Sequence, residues 1–393
     1  MSKSSFLSKG TYDQYGDPSL VYYSVDIINN NPIAPQQSSQ NDSENNPPAR
    51  FQEVRSTPII NNASNFELTI ISADLNGATK RLPLFIPLID TSQSDVNQTV
   101  YWLGMGVSFP NYKTVPIIFT PIDSSIPVPT TTNPQNLSNS YYFYYNYQQF
   151  LNIINTAFFY LATDLIGNPG TVYPHLRYNP DNGLFSLLSP VDNADLPIFP
   201  TIRFNQDLFN LFSSFPYRRV PFGTATAIPP YTSTGQIFNE IAQQSRFQKQ
   251  ETIFGVKYLV IEQEYNTTNN LWSPCASIVF ATTQLPILNE KTSTPLIFDQ
   301  ENVNQTVKTS TDAFNNVLLE FRNEFARGSD LLENILYQPS AEFRMTSLTG
   351  SNTSISNIDI IVYWRNRLDN QLYQLYMPNF SNISIKLLFR RKN

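Results

Sequence analysis

Val21-Tyr-Tyr-Ser-Val-Asp-Ile-Ile, residues 21–28, decides the fold class. β-branched and aromatic side chains fill a pleated, half-buried surface well, and the run is too short to stand as a helix of its own. The same phrasing returns at Phe66–Ala73, Val100–Phe109, Pro116–Thr120, Tyr258–Tyr265, Ala276–Thr282, Ile358–Trp364 and Ile383–Phe389. Prolines, 29 in all, fall mainly between these runs. Proline has no N–H to give a ladder, so it marks strand ends and edges. Two turn signals predict hairpins. Pro180-Asp-Asn-Gly joins His175–Asn179 to Leu184–Leu188, and Leu368-Asp-Asn-Gln joins Ile360–Trp364 to Leu372–Tyr376.

One helix interrupts the strands. Across Tyr147–Ile166, apolar residues recur at Phe150, Ile154, Ala157/Phe158, Leu161 and Leu165, and Gly167 with Pro169 supplies the stop. Asp207–Phe215 reads as a second, short helix. Thr311–Ala326 fits a helix through Phe314, Val317, Leu318 and Phe321, and a strand through Val317, Leu319 and Phe321. A parallel α/β fold needs a helix after nearly every strand, and the chain lacks them. The expected class is all-β with a few helices: a jelly-roll β-sandwich, read as a double jelly roll, the alternative being a single one with large insertions.

The 393 residues suffice for two domains or one large β assembly. The halves share a coarse layout of strands, a possibly helical segment (147–166 and 311–326) and more strands. The expected division is an N-terminal arm at 1–50, a first jelly roll at 51–216 and a second at 217–393. Within the arm, residues 29–50 are a low-complexity Asn/Gln/Ser/Pro stretch that buries too little apolar area to offset its ordering entropy. Polar stretches at 129–140 and 299–311 read as loops.

Charged residues are 14% of the chain, against about 25% in an average globular protein. Asn, Gln, Ser and Thr take their place, and neutral polar groups allow close packing of copies. Net charge is −6. Binding to phosphate backbones needs clustered Lys and Arg. The one such cluster, Lys386, Arg390, Arg391 and Lys392, reads as the solubilising end of a final strand, so little nucleic-acid contact is expected. MSKSSFLSKG has no signal-peptide apolar core, and no apolar run reaches the ~18 residues of a membrane span. Synthesis and assembly inside the cell are expected.

Catalytic signals are sparse. His175 is the only histidine and Cys275 the only cysteine, so no intrachain disulfide forms. Cys275 opens the apolar run Cys275-Ala-Ser-Ile-Val-Phe, where a buried thiol is inert. Glu262 and Glu264 share a strand face, as one solvated face would. Asp90, Ser92, Ser94 and Asp95 have the chemistry for calcium, yet a solvated loop explains them more simply. The 13 glycines are dispersed and form no phosphate cradle. No enzyme is expected, and no catalytic, metal or cofactor residue is assigned.

Tyr141-Tyr-Phe-Tyr-Tyr-Asn-Tyr is the most unusual segment. It reads as a strand leading into the helix, one face buried and the other against a neighbouring subunit. Tyrosine offers large contact area with a hydrogen-bonding tip, which interfaces favour. The candidate subunit contact is therefore Tyr141, Tyr142, Tyr144, Tyr145 and Tyr147.

Several phrases together resemble jelly-roll capsid proteins of eukaryotic DNA viruses and virus-like elements, in particular the adintovirus, virophage and Polinton groups. They are Phe51-Gln-Glu-Val-Arg-Ser-Thr-Pro-Ile-Ile, Leu82-Pro-Leu-Phe-Ile-Pro-Leu-Ile, Tyr141 to Phe150, Arg203-Phe-Asn-Gln-Asp-Leu-Phe-Asn-Leu-Phe, Ser277-Ile-Val-Phe-Ala-Thr-Thr-Gln-Leu-Pro, Ile358-Asp-Ile-Ile-Val-Tyr-Trp-Arg and Ile385-Lys-Leu-Leu-Phe-Arg-Arg-Lys. The resemblance implies a shell protein of the virion that assembles with itself, as trimers or pentamers, and with other capsid proteins. A double jelly roll would form trimers that tile facets, a single one pentamers at vertices. The alternative is a viral fibre or lectin-like sandwich binding a carbohydrate or receptor through Trp102, Trp272 or Trp364.

Overall fold

A computed structural model describes residues 16–30, 46–78, 82–108, 111–124, 126–130, 140–220, 238–243, 248–265, 272–288, 296–297, 305–306, 316–321, 334–339, 345–350, 353–368 and 370–392. They divide into two units. One gathers the described residues up to Leu82 and from Cys275 onward, and the other is Pro83–Pro274.

The first unit is a jelly roll, and its strand order proves it. In chain order its eight principal strands are Leu20–Asn29, Arg50–Val54, Phe66–Asn76, Cys275–Thr282, Asn316–Phe321, Ile335–Tyr337, Asn357–Asn366 and Ser381–Arg391. The first, eighth, third and sixth make one antiparallel sheet; the second, seventh, fourth and fifth make the other. That interleaving is two Greek keys wound together, the defining order of the fold. Thr346–Ser347 adds to the third strand, and Leu372–Gln374 folds back on the seventh through the expected turn.

Alternation places the core. On the last strand Ile383, Ile385, Leu387 and Phe389 are buried, while Asn382, Ser384, Leu388 and Arg390 face outward. Its neighbour Phe66–Asn76 buries Phe66, Leu68 and Ile70, then Ala73 and Leu75, so the phase changes midway. The register shifts at Lys386/Leu387, leaving Ile71 opposite no residue. One extra residue flips every later side chain, and this bulge returns both apolar sets to the same interior.

The second unit is inserted between the third and fourth jelly-roll strands. It holds a five-stranded sheet in the order Asn111–Ile118, Gln98–Ser108, Thr201–Asn205, Phe238–Ile241, Tyr217–Val220. A four-stranded sheet runs Gln248–Ile253, Val256–Glu262, Leu184–Pro190, His175–Asn179. The helix Tyr147–Ile166 packs on Asn111–Ile118 and Gln98–Ser108 from the first sheet and on His175–Asn179 from the second. It starts at a capping box: Asn146 Oδ1 accepts the Gln149 N–H (3.0 Å) and Gln149 Oε1 accepts the Asn146 N–H (3.2 Å). It stops at Gly167, whose φ of 82° suits a residue without Cβ.

The expected double jelly roll is corrected: the strand order shows one jelly roll with a large insertion, the alternative form. Among the described residues of the insert, sequence neighbours pair as hairpins, at 98–118, 175–190 and 248–262, and the interleaved order does not recur. The expected boundaries at 50/51 and 216/217 do not match the units. Leu20–Asn29, placed in the arm, is a jelly-roll strand in full register with Ser381–Arg391. Tyr217–Glu262, placed in the second sandwich, supplies four strands to the insert. Residues 31–45 of the expected arm lie outside the described residues. The short helix is Gln206–Leu211, and within the ambiguous 311–326 the described part, Asn316–Phe321, is a strand.

Candidate assembly site

The tyrosine-rich segment lies inside its own subunit. Ser140–Tyr142 is a single 3-10 turn, and Tyr144 makes one bridge with Phe85, so the segment is not a continuous strand. Tyr141, Tyr142, Tyr144 and Tyr147 are buried, and only Tyr145 is half-buried. The hydroxyls are used internally: Tyr141 donates to Asn97 Oδ1 (2.9 Å), Tyr142 to the Val96 carbonyl (2.8 Å) and Tyr144 to the Thr120 carbonyl (3.2 Å). Burial raises the pKa of all three, keeping them neutral donors. Phe119 packs against the same three rings at centroid distances of 5.1–5.5 Å. Of the five expected contact rings, four are enclosed by their own unit, and Tyr145 alone keeps a partly exposed face.

The aromatic core continues around Trp272, against which Phe85, Tyr147, Phe150, Phe185 and Phe212 pack at 5.0–5.4 Å. Its indole N–H donates to the Leu211 carbonyl (3.0 Å). Trp364 is buried in the jelly-roll unit, stacked on Tyr373 at 5.2 Å. Neither ring is available to stack on a sugar.

The other singled-out residues hold structure. Burial pushes the Cys275 thiol up to about 12, which leaves it protonated and unreactive. Burial lowers the His175 pKa, and the ring sits against Tyr173 and Tyr258. Glu262 pairs with Lys249 (2.8 Å), while Glu264 is exposed past the strand end. Asp90 and Asp95 turn their carboxylates onto Ser92 and the Asn97 N–H, closing local turns. Among the described residues no three His, Cys, Asp or Glu side chains gather as a metal site. Two of the C-terminal cations have partners: Arg390 pairs with Glu67 (3.2 Å), and Lys392 Nζ donates to the Ser64 and Leu348 carbonyls.

Two buried carboxylates that composition could not single out organise the units. Asp359 accepts four hydrogen bonds, from Thr282 Oγ1, Thr283 N, Thr283 Oγ1 and Gln284 N. Burial by itself would raise its pKa; those donors together outweigh burial and hold it below the ordinary value. The only hint in sequence is an acid inside Ile358-Asp-Ile-Ile-Val. Glu240, buried in the insert, bridges Arg203 (3.0 Å) and Arg218, and Arg203 lies 4.6 Å over the Tyr112 ring.

The apolar surface left over lies elsewhere. On the jelly roll, Tyr22, Ile28, Val54 and Phe380 are exposed. On the insert, Phe254 is 97% exposed at the tip of the 248–262 hairpin, and Ile118 and Tyr160 flank an apolar groove of 540 Å³ between Asn111–Ile118 and the long helix.

The described residues thus form a single jelly roll carrying a hairpin-built insert. The family model of the Sputnik minor capsid protein V18/19 matches residues 21–391, and the chain belongs to that family. Protein V18 of Sputnik virophage is 32% identical over 147 residues, 36% of this chain and 81% of that one. A chain of the cryo-EM structure of the Sputnik virophage superposes with a TM-score of 0.73 at 24% identity, over 96% of this chain and 99% of that one. The mavirus penton protein superposes with a TM-score of 0.62 at 16% identity, over 95% and 99%. As a member of a minor capsid protein family, the protein is a structural component of the virion, not an enzyme. Among the described residues no helix is long and apolar enough to cross a membrane.

Proposed function

We propose that the chain is the vertex protein of its capsid, a homopentamer that meets other capsid proteins around its rim. The observation that carries this is the single interleaved jelly roll with one insert between its third and fourth strands. A shell facet built from double jelly rolls needs two such barrels per chain. A five-fold position is satisfied by one barrel per copy, repeated by a closed rotation. The fold shared with the mavirus penton protein supports the reading. Contact with the genome is slight, since net charge is −6 and two of the four C-terminal cations, Arg390 and Lys392, are engaged by their own chain. Light scattering of the purified chain tests the stoichiometry: five copies of 44.8 kDa give a species of about 220 kDa. A trimer, or a chain that stays monomeric at every concentration, refutes the pentamer. Salt-sensitive retention of duplex DNA would refute the second part.

A further inference from the structure

We propose that the Phe254 hairpin of one copy seats in the groove between Asn111–Ile118 and the long helix of the next copy, making the head-to-tail contact of the ring. The inference rests on the pentamer reading and adds the surfaces that form it. Strands Gln248–Ile253 and Val256–Glu262 pair to the last residue, Ile253 opposite Val256, so Phe254-Gly255 is the whole turn. Both residues have positive φ, 48° and 80°. Such two-residue turns favour Asn-Gly, because a bulky side chain is strained in the left-handed region. Phenylalanine there costs backbone energy and, being 97% exposed, returns none through burial. Folding of the subunit does not call for it, whereas an external pocket does.

The same unit supplies a pocket of matching chemistry. Val115, Ile118, Ile153, Thr156, Ala157 and Tyr160 line the 540 Å³ groove, which is large enough for a phenyl ring. Ile118 and Tyr160 stand exposed at its lip, at 42% and 61%. Asn111–Ile118 is the edge strand of its sheet, so its outer backbone groups can also receive the hairpin. Position decides the occupant. The Phe254 hairpin forms one edge of the four-stranded sheet; the opposite edge, His175–Asn179, contacts the helix that walls the groove. Phe254 sits in the turn joining the first two strands and the groove's helix contacts the fourth, so at least two strand spacings of about 4.8 Å part knob and groove. A knob and its groove on opposite flanks of one chain define a heterologous contact, which closes a ring under rotation.

The test uses the full chain. Phe254→Asn restores the favoured Asn-Gly turn, so its melting temperature should equal or exceed the parent's while pentamer association weakens at least tenfold. Tyr160→Lys, on the exposed helix face, should weaken association equally. Mixing Phe254→Cys with Thr156→Cys under mild oxidation should give a disulfide-linked dimer that neither variant forms alone; buried Cys275 does not compete. A dimer from Phe254→Cys alone would mean a tip-to-tip contact and overturn the proposal. Intact pentamers without the 254–156 cross-link would also overturn it and leave the pentamer standing. A parent chain that never forms a ring would overturn the pentamer reading, and this contact with it.

Discussion

Replacing Asp359 with Asn should destabilise the jelly-roll unit through a mismatch that no side-chain rotation repairs. Each carboxylate oxygen of Asp359 takes two donors: Oδ1 receives Thr282 Oγ1 and the Gln284 N–H, and Oδ2 receives the Thr283 Oγ1 and N–H. Asparagine keeps one acceptor oxygen and turns the other position into a donor. In either orientation a hydroxyl can rotate to accept from it, but one backbone N–H faces an NH2 group: that of Thr283, or that of Gln284, which then keeps only its longer bond to Thr282 Oγ1 (3.3 Å). Losing a charge-assisted bond costs roughly 1.5–3 kcal/mol, and stranding a buried N–H about 1–3 more. At a working total of about 3 kcal/mol, and ~2–4 °C per kcal/mol for a unit of this size, Tm should fall by about 6–12 °C at pH 7. Asp359→Ala takes the carboxylate from all four donors and should cost more.

Acid adds a second signature. The folded pKa of Asp359 lies below its unfolded value, so its stabilisation is complete above the unfolded pKa and is lost as pH falls through the folded one. The parent should lose part of its advantage over Asp359→Asn between about pH 5 and 2, and the two melting curves should converge there. Differential scanning calorimetry from pH 7 to 3 reads both effects. A variant within 1 °C of the parent at pH 7, or a gap that persists unchanged into acid, would refute the reasoning.

Gly104 can be tested by Gly104→Ala, whose Cβ would meet Tyr112 Oη at 2.0 Å; the displaced ring should cost about 1–3 kcal/mol by urea titration. Glu240→Ala leaves half-buried Arg203 without its carboxylate and should destabilise the insert by about 3–5 kcal/mol, measured the same way. Tyr142→Phe and Tyr144→Phe each remove a hydroxyl bonded to a backbone carbonyl; each should cost about 1 kcal/mol by chemical denaturation and leave the oligomer intact by light scattering. Cys275 should stay silent to a thiol reagent at pH 8 in the folded protein and react only after denaturation, because burial holds the thiol up to about 12.

Strand positions were readable because alternation and β-branched or aromatic content are local properties. Ile358–Trp364 and Ile383–Phe389 both fall within observed strands. The helix Tyr147–Ile166 was readable to its ends, since spacing, stop and start are all local. Tyr141–Tyr147 was misplaced for a physical reason. Tyrosine hydroxyls serve a subunit boundary and a buried carbonyl equally well, and only the fold shows that Val96 and Thr120 wait for them. Asp359 and Glu240 were invisible because their partners come from other strands, Asp359 reaching 75–77 residues back.

Composition and period by themselves determined that this chain is β-rich, nearly free of catalytic chemistry and weakly charged. Whether it holds one jelly roll or two was settled only in three dimensions. The decisive pairing joins Leu20 to Arg390 across almost the whole chain, and register over that distance is written in no local pattern. The exposure of Phe254 belongs to the same category: what remains uncovered is known only when every other element has packed.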